Sequence, residues 1–332
     1  MTIHTRGLSR RFRSGGAEVD AVRGVDLDVE SGQIVGFLGP NGAGKTTTLR
    51  MLATLLRPTA GTALVAGADL MKSPAEVRRR IGYVAQGSGT DPGCRVREEL
   101  WDQARLHRLP AAEARPRAER LLGDFDLLGV RDRFVRTLSG GQRRRLDIAM
   151  GLVHSPGVVL LDEPTSGLDP QSRGNLWDHI RTLRGESGTT VLLTTHYLEE
   201  ADALCDRIFV IDHGRIVASG SPDELKRRIA GDVVTVEVFG DQDLAKSALA
   251  GLAQVREVAV TELTVRLVVS SGEHAVIDVM RALDAAGVPV RSIQVARPSL
   301  DDVFFAVTGR SLRDGDGAGA APAAAANEEE AA

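Results

Sequence analysis

Apolar and polar residues alternate first in Val25–Val29, the pattern of a half-buried strand, and Ser31-Gly32 reads as the turn that follows. Ile34–Leu38 is instead a short unbroken apolar run, which suits a strand buried on both faces. Val158–Leu161 and Thr190–Thr194 repeat that pattern, and each stops at polar residues, Asp162-Glu163-Pro164 and His196. Ile208–Ile211 and Arg215–Ala218 flank Asp212-His213-Gly214, a hairpin signal. A helix is predicted from about Lys45, and arginine-rich helical sequence runs from about 96 to 123, punctuated by Pro110 and Pro116. Strands that alternate with helices predict an α/β core built on a mostly parallel sheet.

The pattern restarts after about residue 229. Strands are predicted at 233–239, 255–260, 265–269 and 288–295, with helices at 244–252 and 275–286. That βαββαβ order is the ferredoxin-like motif. From Ser311 the chain is rich in Asp, Gly, Ala, Pro and Glu, a composition that predicts disorder for 311–332. The expected organisation is therefore a large domain over 1–228, an accessory domain over 229–310 and a tail. No internal repeat is visible.

Composition narrows the function classes. The 332 residues are 42% hydrophobic and 26% charged, ordinary for a globular chain, and the net charge of −4 does not mark a nucleic-acid binder. The runs Arg78-Arg79-Arg80 and Arg143-Arg144-Arg145 read as solvated helix faces. The two cysteines, Cys94 and Cys205, lie far apart without metal-ligand spacing, which argues against a disulfide framework or zinc site. The first ten residues carry no apolar core of a secretory signal, and no stretch approaches the ~18–20 apolar residues of a spanning helix.

Gly39-Pro40-Asn41-Gly42-Ala43-Gly44-Lys45-Thr46 fits the phosphate-binding pattern GxxxxGK[ST], between an apolar run and a predicted helix. Glycines there let backbone N–H groups turn around phosphate oxygens, and the helix N-terminus adds partial positive charge. Lys45 is expected on the β- and γ-phosphates and the Thr46 hydroxyl on Mg²⁺. Asp162 ends an apolar strand, where a carboxylate can hold Mg²⁺, and Glu163 beside it can polarise an attacking water.

Leu138-Ser139-Gly140-Gly141-Gln142, about 20 residues before that acidic pair, resembles the signature of the ATP-binding cassette (ABC) family. Over residues 1–228 the other family motifs resemble it in order: Phe12 where an adenine-stacking aromatic is expected, Gln86 at the Q-loop, Ser166–Asp169 as the D-loop and His196 as the switch histidine. Phe12 departs from the commoner tyrosine. The glycine-rich segment 87–95, which carries Cys94, also departs from the commonest pattern, in the region that in the family leads to the surface touching the membrane subunit.

The resemblance implies a RecA-like core with a helical subdomain and an antiparallel β subdomain. It implies an ATPase in which two cassettes pair head to tail. ATP would be held by Phe12, residues 39–46 and Thr47; Mg²⁺ would be held by Thr46, Gln86 and Asp162. Glu163, His196 and Gln86 would serve hydrolysis. Asp169 would act in the D-loop, and Ser139, Gly140, Gly141 and Gln142 would come from the partner chain. Thr48–Thr59 and Pro298–Phe305 closely resemble daunorubicin/doxorubicin-resistance ATPases. The implied role is to power antibiotic or natural-product efflux through a separate ABC-2-type permease, at the cytoplasmic face of the membrane and without nucleic acid. An ABC ATPase of DNA repair or translation is the rival reading; a P-loop GTPase or kinase leaves the LSGGQ segment unexplained.

Overall fold

The computed structural model describes residues 2–14, 17–228, 232–239, 242–261, 264–269, 272–296 and 298–309. The expectation for 311–332 lies outside them. In chain order the cassette begins with β1 (Ile3–Ser14), β2 (Ala17–Val29), β3 (Ile34–Leu38), α1 (Lys45–Leu52), β4 (Ala60–Val65), β5 (Ala68–Asp69), α2 (Pro74–Arg80) and β6 (Ile81–Val84). There follow α3 (Val96–Leu106), α4 (Ala111–Asp124), α5 (Gly140–Gly151), β7 (Val158–Asp162), α6 (Pro170–Ser187), β8 (Thr190–Thr195) and α7 (Leu198–Leu204). It closes with β9 (Arg207–Asp212), β10 (Arg215–Gly220) and α8 (Pro222–Arg228).

The central sheet has the order β10-β9-β3-β8-β7-β6 and is parallel except for the β9–β10 hairpin. Its crossovers carry the phosphate-loop helix, the signature helix and the switch helix, so loop residues after β3, β6, β7 and β8 collect at the strands' C-terminal ends. The continuous apolar runs are explained by their neighbours on both faces. Val35, Phe37, Val158, Leu160, Leu192 and Phe209 join one core with α1 and the β1–β2 sheet. Ile34, Leu38, Val159, Leu161, Val191 and Leu193 join the other, with α3 to α6. A second, antiparallel sheet, β2-β1-β4-β5, covers the first face.

Two local expectations are corrected. Pro116 does not punctuate the helical stretch; it lies inside α4, whereas Pro110 stands at its N-cap. The Arg143–Arg145 run is not a uniformly solvated face: Arg144 is 7% exposed. A helix turns 100° per residue, so three consecutive side chains cannot share one face.

The remaining segment comprises β11 (Asp232–Val238), α9 (Gln242–Ala250), β12 (Val255–Thr261), β13 (Thr264–Val269), α10 (Gly272–Ala285), β14 (Val290–Ala296) and α11 (Leu300–Thr308). The antiparallel order β12-β13-β11-β14 is that of the ferredoxin-like motif. Val234, Val236, Leu267, Leu249, Val279 and Leu283 form its own core. The final helix does not belong to that core. It packs against α7, α8 and β10, and Leu300, Val303 and Phe304 join the cassette cluster that contains Ala201, Leu204 and Leu225. Its capped N-terminal turn reaches back instead, because Asp301 and Asp302 both pair with Arg266 on β13.

Candidate active site

The phosphate loop joins β3 to α1 with Gly44 at the N-cap. Gly44 has φ +100°, and a Cβ there would lie 2.4 Å from the Ala21 carbonyl oxygen, so no larger residue fits the loop. Lys45 is buried, and its ammonium donates to the Gly39 and Pro40 carbonyls at 2.7 and 3.0 Å. Its Nζ also lies 3.9 Å from Glu163 Oε1.

Asp162 ends β7 beneath this loop. Its Oδ1 accepts from Thr46 Oγ1 at 2.9 Å and from Thr194 Oγ1 at 2.7 Å. Its Oδ2 is buried and has no hydrogen-bond partner. A carboxylate oxygen left bare in the interior costs about 1–3 kcal/mol or more, so the chemistry of the pair Thr46–Asp162 fits a divalent cation shared with phosphate oxygens.

Glu163 sits at φ +43°, a left-handed conformation uncommon for a residue with a side chain. Its N–H donates to Thr194 Oγ1 at 2.9 Å, which holds the turn. Gln86, after β6, donates Nε2 to Glu163 Oε2 at 3.0 Å, and His196 Nδ1, after β8, lies 3.4 Å from Oε1. Burial by itself would raise the Glu163 pKa. The His196 imidazole 3.4 Å away and the charge of Lys45 outweigh it and hold the carboxyl below its ordinary range. The site therefore carries an ionised, oriented carboxylate at neutral pH, which can accept a proton from water.

Lys45, Thr46, Gln86, Asp162, Glu163 and His196 thus come together from four loops. Two expected groups stand apart. Phe12 is half-buried on β1, with the Arg10 guanidinium 4.7 Å over its ring, in a cleft that also includes Arg11, Asp20, Arg23 and Arg215. One face of the ring is thus taken by arginine. Ser139 is exposed at the N-cap of α5, where its Oγ accepts from Gln142 N at 3.2 Å while Gln142 Oε1 accepts from Ser139 N at 3.1 Å. A Cβ at Gly141 would come within 2.8 Å of Ser172 Oγ. Ser172 in turn donates Oγ and N to Asp169, the N-cap of α6, at 2.6 and 2.9 Å. Asp169 accordingly braces the start of α6 against the signature turn.

Sequence reasoning missed Thr194, which fixes both acidic residues; its only signal is a threonine at the end of an apolar strand. It also missed Arg144 and Asp147 on α5.

Residues 22–166 match the family model of the ABC transporter, and residues 220–308 match that of the ATP-binding protein DrrA1-3-like C-terminal domain. The daunorubicin/doxorubicin resistance ATP-binding protein DrrA of Streptomyces peucetius is 44% identical over 317 residues, covering 94% of each chain. The chain belongs to the DrrA-like ABC ATP-binding proteins. The doxorubicin resistance ATP-binding protein DrrA of Mycobacterium tuberculosis is 42% identical, over 93% of this chain and 94% of its own. The linearmycin resistance ATP-binding protein LnrL of Bacillus subtilis is 36% identical, over 88% of this chain and 95% of its own. Among solved structures, a dimeric bacterial ABC transporter cassette superposes with a TM-score of 0.61 at 26% identity, over 66% of this chain and 98% of that one. This DrrA-like chain is an ATP-hydrolysing subunit of an ABC transporter. Among its described residues no helix is long and apolar enough to cross a membrane.

Proposed function

We propose that this DrrA-like ATPase powers export of a hydrophobic antibiotic or natural product through a separate ABC-2-type permease, docked at the cytoplasmic face of the membrane as a homodimer of cassettes. The observation that carries the catalytic part is the Glu163 carboxylate, fixed between Gln86, His196 and Lys45 beside a bare Asp162 oxygen. Phe12 and the loop 39–47 hold ATP, and Lys45 exchanges its carbonyl partners for the β- and γ-phosphates. Thr46, Asp162 and Gln86 would hold Mg²⁺, which supplies charge neutralisation on the phosphates when bound. Glu163 orients water and accepts its proton, and His196 steadies Glu163 and the γ-phosphate end.

The exposed, capped Ser139 supports the dimeric reading. A helix N-terminus with a serine and two glycines suits an anion, and it takes no part in the cluster around its own Lys45. Ser139, Gly140, Gly141 and Gln142 would close on ATP held by a second copy, with Asp169 beside the junction. The relatives named for daunorubicin, doxorubicin and linearmycin resistance support the export reading.

The test uses the tagged full chain solubilised from native membranes. A multi-spanning membrane protein should co-purify with it, and cells carrying Lys45→Ala should accumulate more daunorubicin than cells with the unaltered chain. Recovery without any membrane protein, together with unchanged drug accumulation, would overturn the exporter reading.

A further inference from the structure

Helix α5 reaches from the signature turn into the interior, and two of its buried side chains take hold of the chain on both sides of the candidate catalytic residues. Arg144 donates Nη1 to the Ala85 carbonyl at 2.6 Å, Nη2 to the Asp162 carbonyl at 2.9 Å and Nε to the Pro164 carbonyl at 2.8 Å. Asp147, one turn further on and 8% exposed, accepts from Ser88 Oγ at 3.0 Å and from Gly89 N at 3.1 Å. Gln86 is therefore held from residue 85 and from residues 88–89. Glu163 is held from residues 162 and 164, and the two grasped side chains meet at 3.0 Å.

We infer that Arg144 is a positioning residue for ATP hydrolysis: it couples the signature helix to Glu163 and Gln86, with Asp147 securing the Gln86 side. The guanidinium is suited to this because its planar fork aims three donors in fixed directions, whereas a lysine ammonium is a compact point charge. Burial lowers the pKa of Arg144, opposed by the charges of Asp147, Asp162 and Glu200, so its place is stabilised by these contacts rather than by solvent. Ser139 lies five residues before Arg144 on the same helix, so a tilt of α5 that follows engagement of the signature turn displaces residues 85 and 162–164 together. Such a link makes the geometry of Glu163 depend on whether the signature turn is engaged. The inference rests on the catalytic role proposed for Glu163 and adds a residue that acts through the backbone on both sides of it.

The experiment compares full-length Arg144→Lys, Asp147→Ala, Glu163→Gln and the double variants Arg144→Lys/Glu163→Gln and Asp147→Ala/Glu163→Gln. Turnover is measured under single-turnover conditions, binding with a fluorescent ATP analogue and folding by thermal melting. Arg144→Lys should lower kcat by about 10- to 100-fold, the scale of a sub-ångström to 1 Å misplacement, and leave nucleotide Kd within about threefold. In the Glu163→Gln background the same change should cost less than about twofold, because residues that act as a unit are not additive. Asp147→Ala keeps the three carbonyl acceptors of Arg144 and should lower kcat by about three- to tenfold, again without effect in the double variant. A folded Arg144→Lys protein with unaltered kcat, or losses that multiply in the double variant, would overturn the inference. If Arg144→Lys does not fold, Asp147→Ala decides by the same two criteria. Normal turnover by Glu163→Gln would instead defeat the role proposed for Glu163, whatever Arg144 does.

Discussion

The two halves of the molecule bury different chemistry. In the cassette, Lys45, Arg144, Asp147, Asp162, Glu163 and Glu200 are all less than 9% exposed, and they crowd around the loops that follow the central strands. In the ferredoxin-like segment the core is Val, Leu and Ala. Among its described residues the buried acids are Asp301 and Asp302, and both face the same arginine. Burying charge costs several kcal/mol per group unless it is paired, so a fold tolerates a cluster of this kind only where many contacts repay it. The cassette concentrates that cost where it holds and polarises. The accessory segment confines it to one junction, the turn from which α11 leaves for the cassette core.

The contrast can be broken by substitution, and the largest expected effect is at the catalytic cluster. Glu163→Gln should retain ATP binding and lose about 10²–10⁴ in turnover, or about 3–5 kcal/mol of barrier, checked by phosphate release from the purified chain. The next effect sits at the junction. Phe304 is fully buried in the cassette core, so Phe304→Ala should destabilise the protein by about 3–4 kcal/mol in urea unfolding. Phe239, 53% exposed on the accessory segment, is the control: Phe239→Ala should stay within about 0.5 kcal/mol. A large loss at Phe239 and none at Phe304 would reverse the account of which core the last helix serves.

Arg266→Ala removes the partner of Asp301 and Asp302. The arginine is partly exposed, so the expected cost is about 1–2 kcal/mol, below that of a fully buried pair. The same unfolding curve measures it, and Phe304→Ala should remain the costlier change. The smallest effect is a pH dependence confined to the cassette. His154, stacked on His107 with ring centroids 3.8 Å apart, is pushed from 6.5 down to about 4 by burial and by that neighbouring histidine. The unfolded chain takes up this proton as pH falls below 6.5 and the folded chain does not until about 4. The stability from the neutral ring is thus whole above 6.5 and declines toward pH 4. Melting temperature followed from pH 7.5 to 4.5 should fall, and His154→Gln should flatten part of that fall.

Much of this is legible in the sequence. Unbroken apolar runs followed by polar loops locate β3, β7 and β8, because a strand covered on both faces has no polar side to show. Six dispersed residues, Lys45, Thr46, Gln86, Asp162, Glu163 and His196, could be nominated from motif order. Their contacts could not, since Gln86 and Glu163 are 77 residues apart in the chain and meet only through sheet topology. Arg144 was misjudged because its neighbours Arg143 and Arg145 are chemically identical to it; only the phase of α5 separates the buried guanidinium from the others. The docking of α11 was equally hidden. Leu300, Val303 and Phe304 show a helical spacing, but spacing does not say which of two cores the apolar face will join.

In the proposed dimer this chain carries one half of each ATP site, and a second copy supplies Ser139 to complete it. The direct measurement is the light-scattering mass of Glu163→Gln protein with Mg²⁺ and saturating ATP, beside the same protein carrying Ser139→Arg. ATP should double the mass of Glu163→Gln, and Ser139→Arg should abolish the doubling without loss of nucleotide binding. A chain that binds ATP yet keeps its monomer mass, or that dimerises equally well with arginine in the signature turn, would contradict it.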